Sequence, residues 1–171
     1  MPTRDKRSRT LVLAGVLTAV ALALSLIDAA VSSLLAFLPG FKLGLANTVS
    51  LYALYVLGLP WALAICVVRC VLTAVYSGQA TMFLFSILGG IGSVLIMGTL
   101  RQHLSVLKVS MVGGVTHNLL QLAAAALITG TASIGSYLPV LIALGTVTGF
   151  LIGWLCAELL RRTASFQGTH S

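Results

Sequence analysis

The sequence predicts an all-α fold, a polytopic membrane bundle of six transmembrane helices with both termini on the cytoplasmic side. Composition is the first reason: 58% of the 171 residues are hydrophobic and 8% are charged, against about 25% charged in soluble domains. A soluble domain with so few polar groups could not cover its surface. The second reason is that the apolar residues form six runs near the length of about 20 that a span requires. The third is that basic residues collect at alternate ends of these runs.

The six runs follow one another with short connections, which favours a compact bundle of antiparallel neighbours. A basic tail, residues 1–10, precedes the first run. Pro60 and Trp61 suit the start of the third helix, because proline tolerates the first turn and tryptophan prefers the headgroup level. The predicted spans are Leu11–Ser32, Leu43–Leu59, Trp61–Tyr76, Thr81–Leu100, Leu107–Thr129 and Ser136–Leu160. We assign residues 11–162 to one membrane domain and expect the tail 163–171 to be disordered.

The distribution of basic residues predicts the orientation of the bundle. Lys42 is the one basic residue at the side where the first, third and fifth spans end. Eight lie on the opposite side, and cytoplasmic loops carry such an excess: Arg4, Lys6, Arg7, Arg9, Arg101, Lys108, Arg161 and Arg162. We therefore expect a multi-pass protein of the cytoplasmic membrane.

The same distribution excludes some classes of function. The net charge of +7 does not indicate nucleic-acid binding, because no basic stretch is interleaved with aromatic residues. Cys66, Cys70 and Cys156 all lie inside apolar runs, and we interpret them as buried small hydrophobes. We expect neither a metal site nor a cofactor.

Small residues recur at four-residue spacing in three spans, and such stripes let helix backbones approach closely in lipid. In the fourth and sixth spans we assign them to packing within the bundle: Gly89, Gly90, Gly145, Gly149 and Gly153. In the first span, Gly15, Ala19 and Ala23 indicate either packing or a surface on which a partner docks.

Apart from the basic residues at the span ends, several polar residues lie inside the apolar runs. An ionisable group there costs free energy and is by default interpreted as functional. At about 1.5 Å per residue, Arg69 and His117 both lie near the middle of the bilayer. Helical spacing places Arg69 and Thr73 on one face and His117 and Gln121 on another. We expect these faces to converge on a substrate-binding site formed by Lys42, Asn47, Arg69, Thr73, His117, Asn118 and Gln121.

The start of the second span favours an anionic ligand at this site. Pro39 and Gly40 break the chain, so helix amides with a partial positive charge follow them, beside Lys42. Structural roles remain open: Asp28 could form an ion pair with Arg69 or Lys42, or couple transport to an ion. His117 and Asn118 could instead bond backbone carbonyls of neighbouring helices.

Three segments carry a family resemblance: PGFKLGLANTVSLYALYVLG, SILGGIGS and GGVTHNLLQL. With Arg69, they resemble the Gx transporter family, whose members are often labelled heptaprenyl diphosphate synthase component I. The resemblance implies a protein similar to the substrate-binding (S) components of energy-coupling factor transporters. Those six-helix proteins bind substrate on the outer side and dock, through small residues of the first helix, on a transmembrane coupling subunit with ATPase subunits.

Three functions follow as hypotheses. The first is a substrate-binding transporter subunit that captures a small anionic or amphipathic metabolite. The second is a non-catalytic membrane subunit beside a soluble prenyl synthase, in isoprenoid or quinone precursor metabolism. The third is a carrier that works alone and is coupled to an ion through Asp28 or His117.

We do not expect an enzyme. Prenyl transfer needs Mg²⁺ held by clustered carboxylates, and the carboxylates Asp5, Asp28 and Glu158 lie far apart in the sequence. The sequence also lacks the G-x-x-x-x-G-K-[ST] phosphate loop, so any ATP hydrolysis would come from partner subunits. The expected partners are a small-molecule substrate, membrane lipid and one of the two sets of subunits, and not nucleic acid.

Overall fold

The computed structural model describes residues 4–34, 44–78, 80–130 and 132–168, and within them the fold is all-helical. The helices are α1 (Arg4–Leu34), α2 (Leu45–Val56), α3 (Leu59–Ser77), α4 (Ala80–Leu100), α5 (Val106–Thr129) and α6 (Leu138–Gly168), with a short 3-10 helix, Ala132–Tyr137, before α6. Their order matches the six predicted runs. Five of them are long and apolar enough to cross a membrane, so the chain is a multi-pass membrane protein.

Helix α2 is shorter than its predicted span, Leu43–Leu59. It has 12 residues, which at about 1.5 Å per residue is roughly 18 Å, well below the 30 Å or so of a hydrocarbon core. Two glycines set its limits. Gly44 precedes it with φ 73° and Gly58 follows it with φ 91°, and residues with side chains rarely adopt such positive φ angles.

The first and last helices are longer than predicted. Helix α1 already begins at Arg4, inside the predicted basic tail, and α6 continues to Gly168, into the tail predicted as disordered. Lysine and arginine are good helix formers, so charge alone does not end a helix. At the end of α6, Glu158 accepts a hydrogen bond from Arg162 Nε at 2.8 Å, the four-residue pairing that supports exposed helical turns.

Helix α2 forms the centre of the bundle. The long helices pack on one another in the order α1, α3, α4, α5, α6, while α2 packs on α1, α3, α4 and α6. All residues from Ala46 to Leu51 are buried. The outer faces of the long helices stay apolar and exposed, for example at Val75 and Leu127, as expected for surfaces covered by lipid.

Opposite charges hold the two ends of α2. At its N-terminus, the amide of Gly44 donates to Asp28 Oδ2 of α1 at 2.9 Å. At its C-terminal turn, Arg101 Nη1 donates to the carbonyl oxygen of Leu54 at 2.7 Å. A carboxylate at the N-terminus and a cation at the C-terminus both complement the helix dipole. Both ends of α2 are therefore bonded to groups outside the helix.

Helices α5 and α6 touch backbone to backbone. A Cβ at Gly149 would stand 2.7 Å from Met111 Cα and 2.7 Å from Ser110 O, and one at Gly145 would stand 3.0 Å from Gly114 O. Only glycine fits at this separation. The stripe predicted from the sequence therefore lies in the contact between α5 and α6.

The helix contacts also gather basic residues at one end of the bundle. A recess between the first turns of α1 and α3 is lined by Lys6, Arg7, Thr10 and Trp61. Arg101 reaches the C-terminal turn of α2, and Gly153 of α6 lies against Leu107 at the start of α5. The last turns of α6 therefore lie at the same end, which we call the basic end.

Candidate functional site

Arg69 of α3 is a buried cation with weak partners. It is 7% exposed. Its Nη1 donates to Ser25 Oγ of α1 at 3.2 Å, and Nη2 lies 3.8 and 3.7 Å from the sulfurs of Cys66 and Cys70. Thiols are weak acceptors. Its Nε has no hydrogen-bond partner among the described residues, so the guanidinium keeps an unused buried donor.

The polar face of α5 approaches the same part of α4. A Cβ at Gly90 would stand 2.7 Å from Cys66 Sγ and 3.4 Å from Arg69 Nη2. A Cβ at the neighbouring Gly89 would stand 2.9 Å from Gln121 Cγ and 3.0 Å from His117 Nδ1. The two glycines thus let α3 and α5 bring polar side chains to consecutive positions of one helix. We call Arg69, His117 and Gln121 the polar cluster.

Gln121 is the least satisfied member of the polar cluster. It is 3% exposed, and neither its Nε2 nor its Oε1 has a hydrogen-bond partner in the described part of the chain. Leaving a buried polar group unsatisfied costs about 1–3 kcal/mol. Most buried side-chain polar atoms in native proteins have a hydrogen-bond partner, so the carboxamide of Gln121 is a candidate ligand-binding group. His117 is buried to a similar degree, at 5% exposed.

Two other predicted site residues serve the fold in this structure. Asn118 Nδ2 donates to the carbonyl of Leu141 on α6 at 3.0 Å, which is the interhelical bond that the sequence left open as an alternative. Thr73 Oγ1 donates to the carbonyl of Arg69 at 2.8 Å. Tyr76, seven residues after Arg69 on α3, is 76% exposed and points away from the bundle.

The N-terminus of α2 is occupied by the protein itself. Asp28 is 6% exposed and accepts the Gly44 amide, so this amide is not available to an anionic ligand here. Asn47, also buried, places its Nδ2 3.2 Å from the position of a Cβ at Gly44. Lys42 lies outside the described residues. The ion pair of Asp28 with Arg69 or Lys42, and its coupling of transport to an ion, stay predictions.

The small residues of α1 face away from the polar cluster. Gly15, Ala19 and Ala23 are exposed, and a Cβ at Gly15 would meet nothing within 4 Å. In the described part of the chain α1 packs on α2 and α3, and this exposed face is open there to lipid or to another protein.

Predictions from the sequence missed three residues that shape the site and one that bonds the C-terminal turn of α2. Ser25 and the two thiols of Cys66 and Cys70 surround the guanidinium of Arg69. The spacing of Cys66, Arg69 and Cys70 on one helix was a usable signal, since residues three or four apart are neighbours. Arg101 was assigned to topology alone, and nothing in the sequence indicates its bond to Leu54.

A family model described as "Heptaprenyl diphosphate synthase component I" matches residues 17–159, which confirms the label expected from the sequence motifs. No curated protein and no solved structure matches the chain.

Proposed function

The chain belongs to the heptaprenyl diphosphate synthase component I family, and from this premise and its buried polar cluster we propose that it is the substrate-binding membrane subunit of a transporter. It captures a small anionic or amphipathic metabolite. It does so without catalysing a reaction, and the energy for release comes from partner subunits.

The unsatisfied side chain of Gln121 carries this proposal, and the unused donor of Arg69, which packs on the next residue of α4, supports it. A buried carboxamide without partners destabilises the fold, and a buried cation needs compensation. A ligand with at least one anionic or acceptor oxygen and one donor group would satisfy both side chains. Its apolar part would contact the surrounding helices, as in most small-molecule sites.

Orientation supports capture from outside the cell. Basic residues near span ends favour the cytoplasmic side, so the basic end would be cytoplasmic, together with both termini. The short helix α2 then stands at the centre of the bundle, packed on α3 and α4, which carry or adjoin the polar cluster. The open face of Gly15, Ala19 and Ala23 would dock on a transmembrane coupling subunit, which carries the ATPase subunits.

The family name favours a second candidate, a non-catalytic membrane subunit of a prenyl diphosphate synthase. Two of the three carboxylates are engaged in the fold: Asp28 holds α2, and Glu158 pairs with Arg162 and with Arg161, 4.0 Å away. These contacts support a non-catalytic role, because neither carboxylate stands in a cluster that would hold Mg²⁺.

Two measurements test the proposal. Mass spectrometry of small molecules that co-purify with the chain in mild detergent should find a metabolite with an anionic or polar head. Affinity purification from the native membrane should bring down a transmembrane subunit and ATPases. Recovery of a soluble prenyl synthase, with no ATPase, would favour the second candidate instead.

A further inference from the structure

The recess at the basic end is a separate feature from the polar cluster. It has a volume of about 320 Å³ and lies between the first turns of α1 and α3, lined by Lys6, Arg7, Thr10 and Trp61. This is near the lower limit of ligand pockets, about 300–1,000 Å³. It suits a headgroup-sized ligand rather than a large one.

Two cations line the recess, and no ion pair of theirs is found among the side chains that the structure describes. Both of them, Lys6 and Arg7, are exposed. The Thr10 hydroxyl donates to the carbonyl of Lys6 at 3.0 Å, which ties this side chain to the first turns of α1. Two cations on adjacent positions beside a cavity favour an anionic ligand.

The position of the recess fits the headgroup level of the membrane. The membrane-crossing stretch of α1 begins at Lys6 and that of α3 begins at Leu59. Trp61, half-buried in the wall of the recess, is a residue type that prefers this level. Basic pockets between membrane helices are a known mode of recognition for anionic lipid headgroups.

An apolar track continues from the recess along α3. Val68 and Leu72 follow Trp61 at seven and eleven residues, so all three share one face of the helix, and they are 47% and 41% exposed. An acyl chain would lie along this track while its headgroup sits in the recess. A free phosphate ion would have no use for it.

We propose that the recess between α1 and α3 binds the phosphate of an anionic phospholipid, with Lys6 and Arg7 as its cationic ligands and Trp61 as its apolar wall. The site is independent of the proposed transport function. At about 100° per residue along α1, it also lies on the side opposite Gly15, Ala19 and Ala23, so lipid and a docked partner would not compete.

Native mass spectrometry of the full chain in mild detergent micelles tests this site. Dioleoyl phosphatidylglycerol is titrated against wild type, the double variant Lys6→Gln/Arg7→Gln, and a control, Lys108→Gln/Arg161→Gln, which removes two exposed cations from the same end. In a micelle without an anionic surface, only a cation that contacts the bound headgroup should contribute, at about 1 kcal/mol. The recess variant should therefore bind at least about 10-fold more weakly, while the control binds as wild type.

Further arms separate the alternatives. Dioleoyl phosphatidylcholine should bind weakly, and inorganic phosphate should not displace phosphatidylglycerol. Equal weakening in the control would show diffuse attraction to the basic end and overturn the site. If phosphatidylcholine bound as well as phosphatidylglycerol, the recess would be an apolar groove without selectivity for charge. If phosphate displaced phosphatidylglycerol, the recess would be an ion site. Either result would also overturn the proposal. Melting temperatures measured without lipid should be equal for the three proteins, which would confirm that the variants fold. The single variants Lys6→Gln and Arg7→Gln should each weaken phosphatidylglycerol binding by about 5-fold.

Discussion

The bond between Arg101 and Leu54 gives the sharpest prediction about the fold. Helix α2 is short and buried, and isolated helices of about 12–15 residues or fewer are marginal in water. Replacing Arg101 with alanine removes a charge-assisted hydrogen bond of 2.7 Å and leaves the Leu54 carbonyl without that donor. Hydrogen bonds to charged groups contribute about 1.5–3 kcal/mol, and a cation at a helix C-terminus about 0.3–1 kcal/mol.

We therefore expect Arg101→Ala to lower the free energy of unfolding by about 2–3 kcal/mol, since the two contributions overlap. For a chain of this size that corresponds to a melting temperature lower by roughly 5–10 °C. Thermal unfolding of the purified protein in mild detergent, followed by tryptophan fluorescence, measures it. Lys108→Ala is the matched control, because Lys108 is exposed at the same end and carries the same charge.

The control separates capping from general electrostatics. Lys108→Ala should melt within about 1 °C of wild type, as surface substitutions usually change stability by less than 0.5 kcal/mol. If both variants lost the same stability, the loss would come from the positive charge at the basic end and not from the bond between Arg101 and Leu54. If Arg101→Ala melted as wild type, the reasoning about the ends of α2 would be refuted.

Three further predictions use the same purified protein. Asp28→Asn keeps an acceptor for the Gly44 amide while Asp28→Ala does not, so the asparagine variant should retain more thermal stability; equal losses would contradict the capping role of Asp28. Gly149→Ala should cost about 1–3 kcal/mol by overpacking in thermal unfolding, whereas Gly15→Ala, with open space around it, should melt at or slightly above wild type. The double variant Gly15→Leu/Ala19→Leu should fold normally yet lose at least about 10-fold of any co-purifying coupling subunit, and undiminished recovery would remove this face from the docking surface.

The order of the helices could be predicted from the sequence because apolar runs report burial in lipid directly. The boundaries of α3, α4 and α5 lie within two residues of their predicted positions. The length of α2 could not be predicted in this way. Its apolar residues continue through Leu57 and Leu59, so hydropathy does not show that Gly58 ends the helix by adopting a positive φ.

The candidate site could be predicted from the sequence only in part, because spacing along a helix does not identify the neighbours of a side chain. Spacing along α5 places His117, Asn118 and Gln121 within one turn, but it does not tell which neighbour each side chain meets. The structure gives Asn118 a carbonyl on α6 and leaves Gln121 without a partner among the described residues. That difference depends on how α5 and α6 approach at their glycines, which is a property of packing and not of periodicity.

Ligand retention by variants of the polar cluster tests whether these side chains bind the substrate. Small molecules co-purifying with wild type, Gln121→Leu and Arg69→Met are quantified by mass spectrometry, with Ser93→Ala as control, because Ser93 is buried on α4 but already bonded to the Gly113 carbonyl at 3.0 Å. Gln121→Leu and Arg69→Met should each retain at least about 10-fold less ligand, the equivalent of 1.4 kcal/mol. Gln121→Leu should also melt at or above the ligand-free wild type, since an apolar group replaces an unsatisfied one. Ser93→Ala should retain ligand as wild type does. Variants that are destabilised while retaining ligand fully would show that the polar cluster serves the fold and would contradict the account.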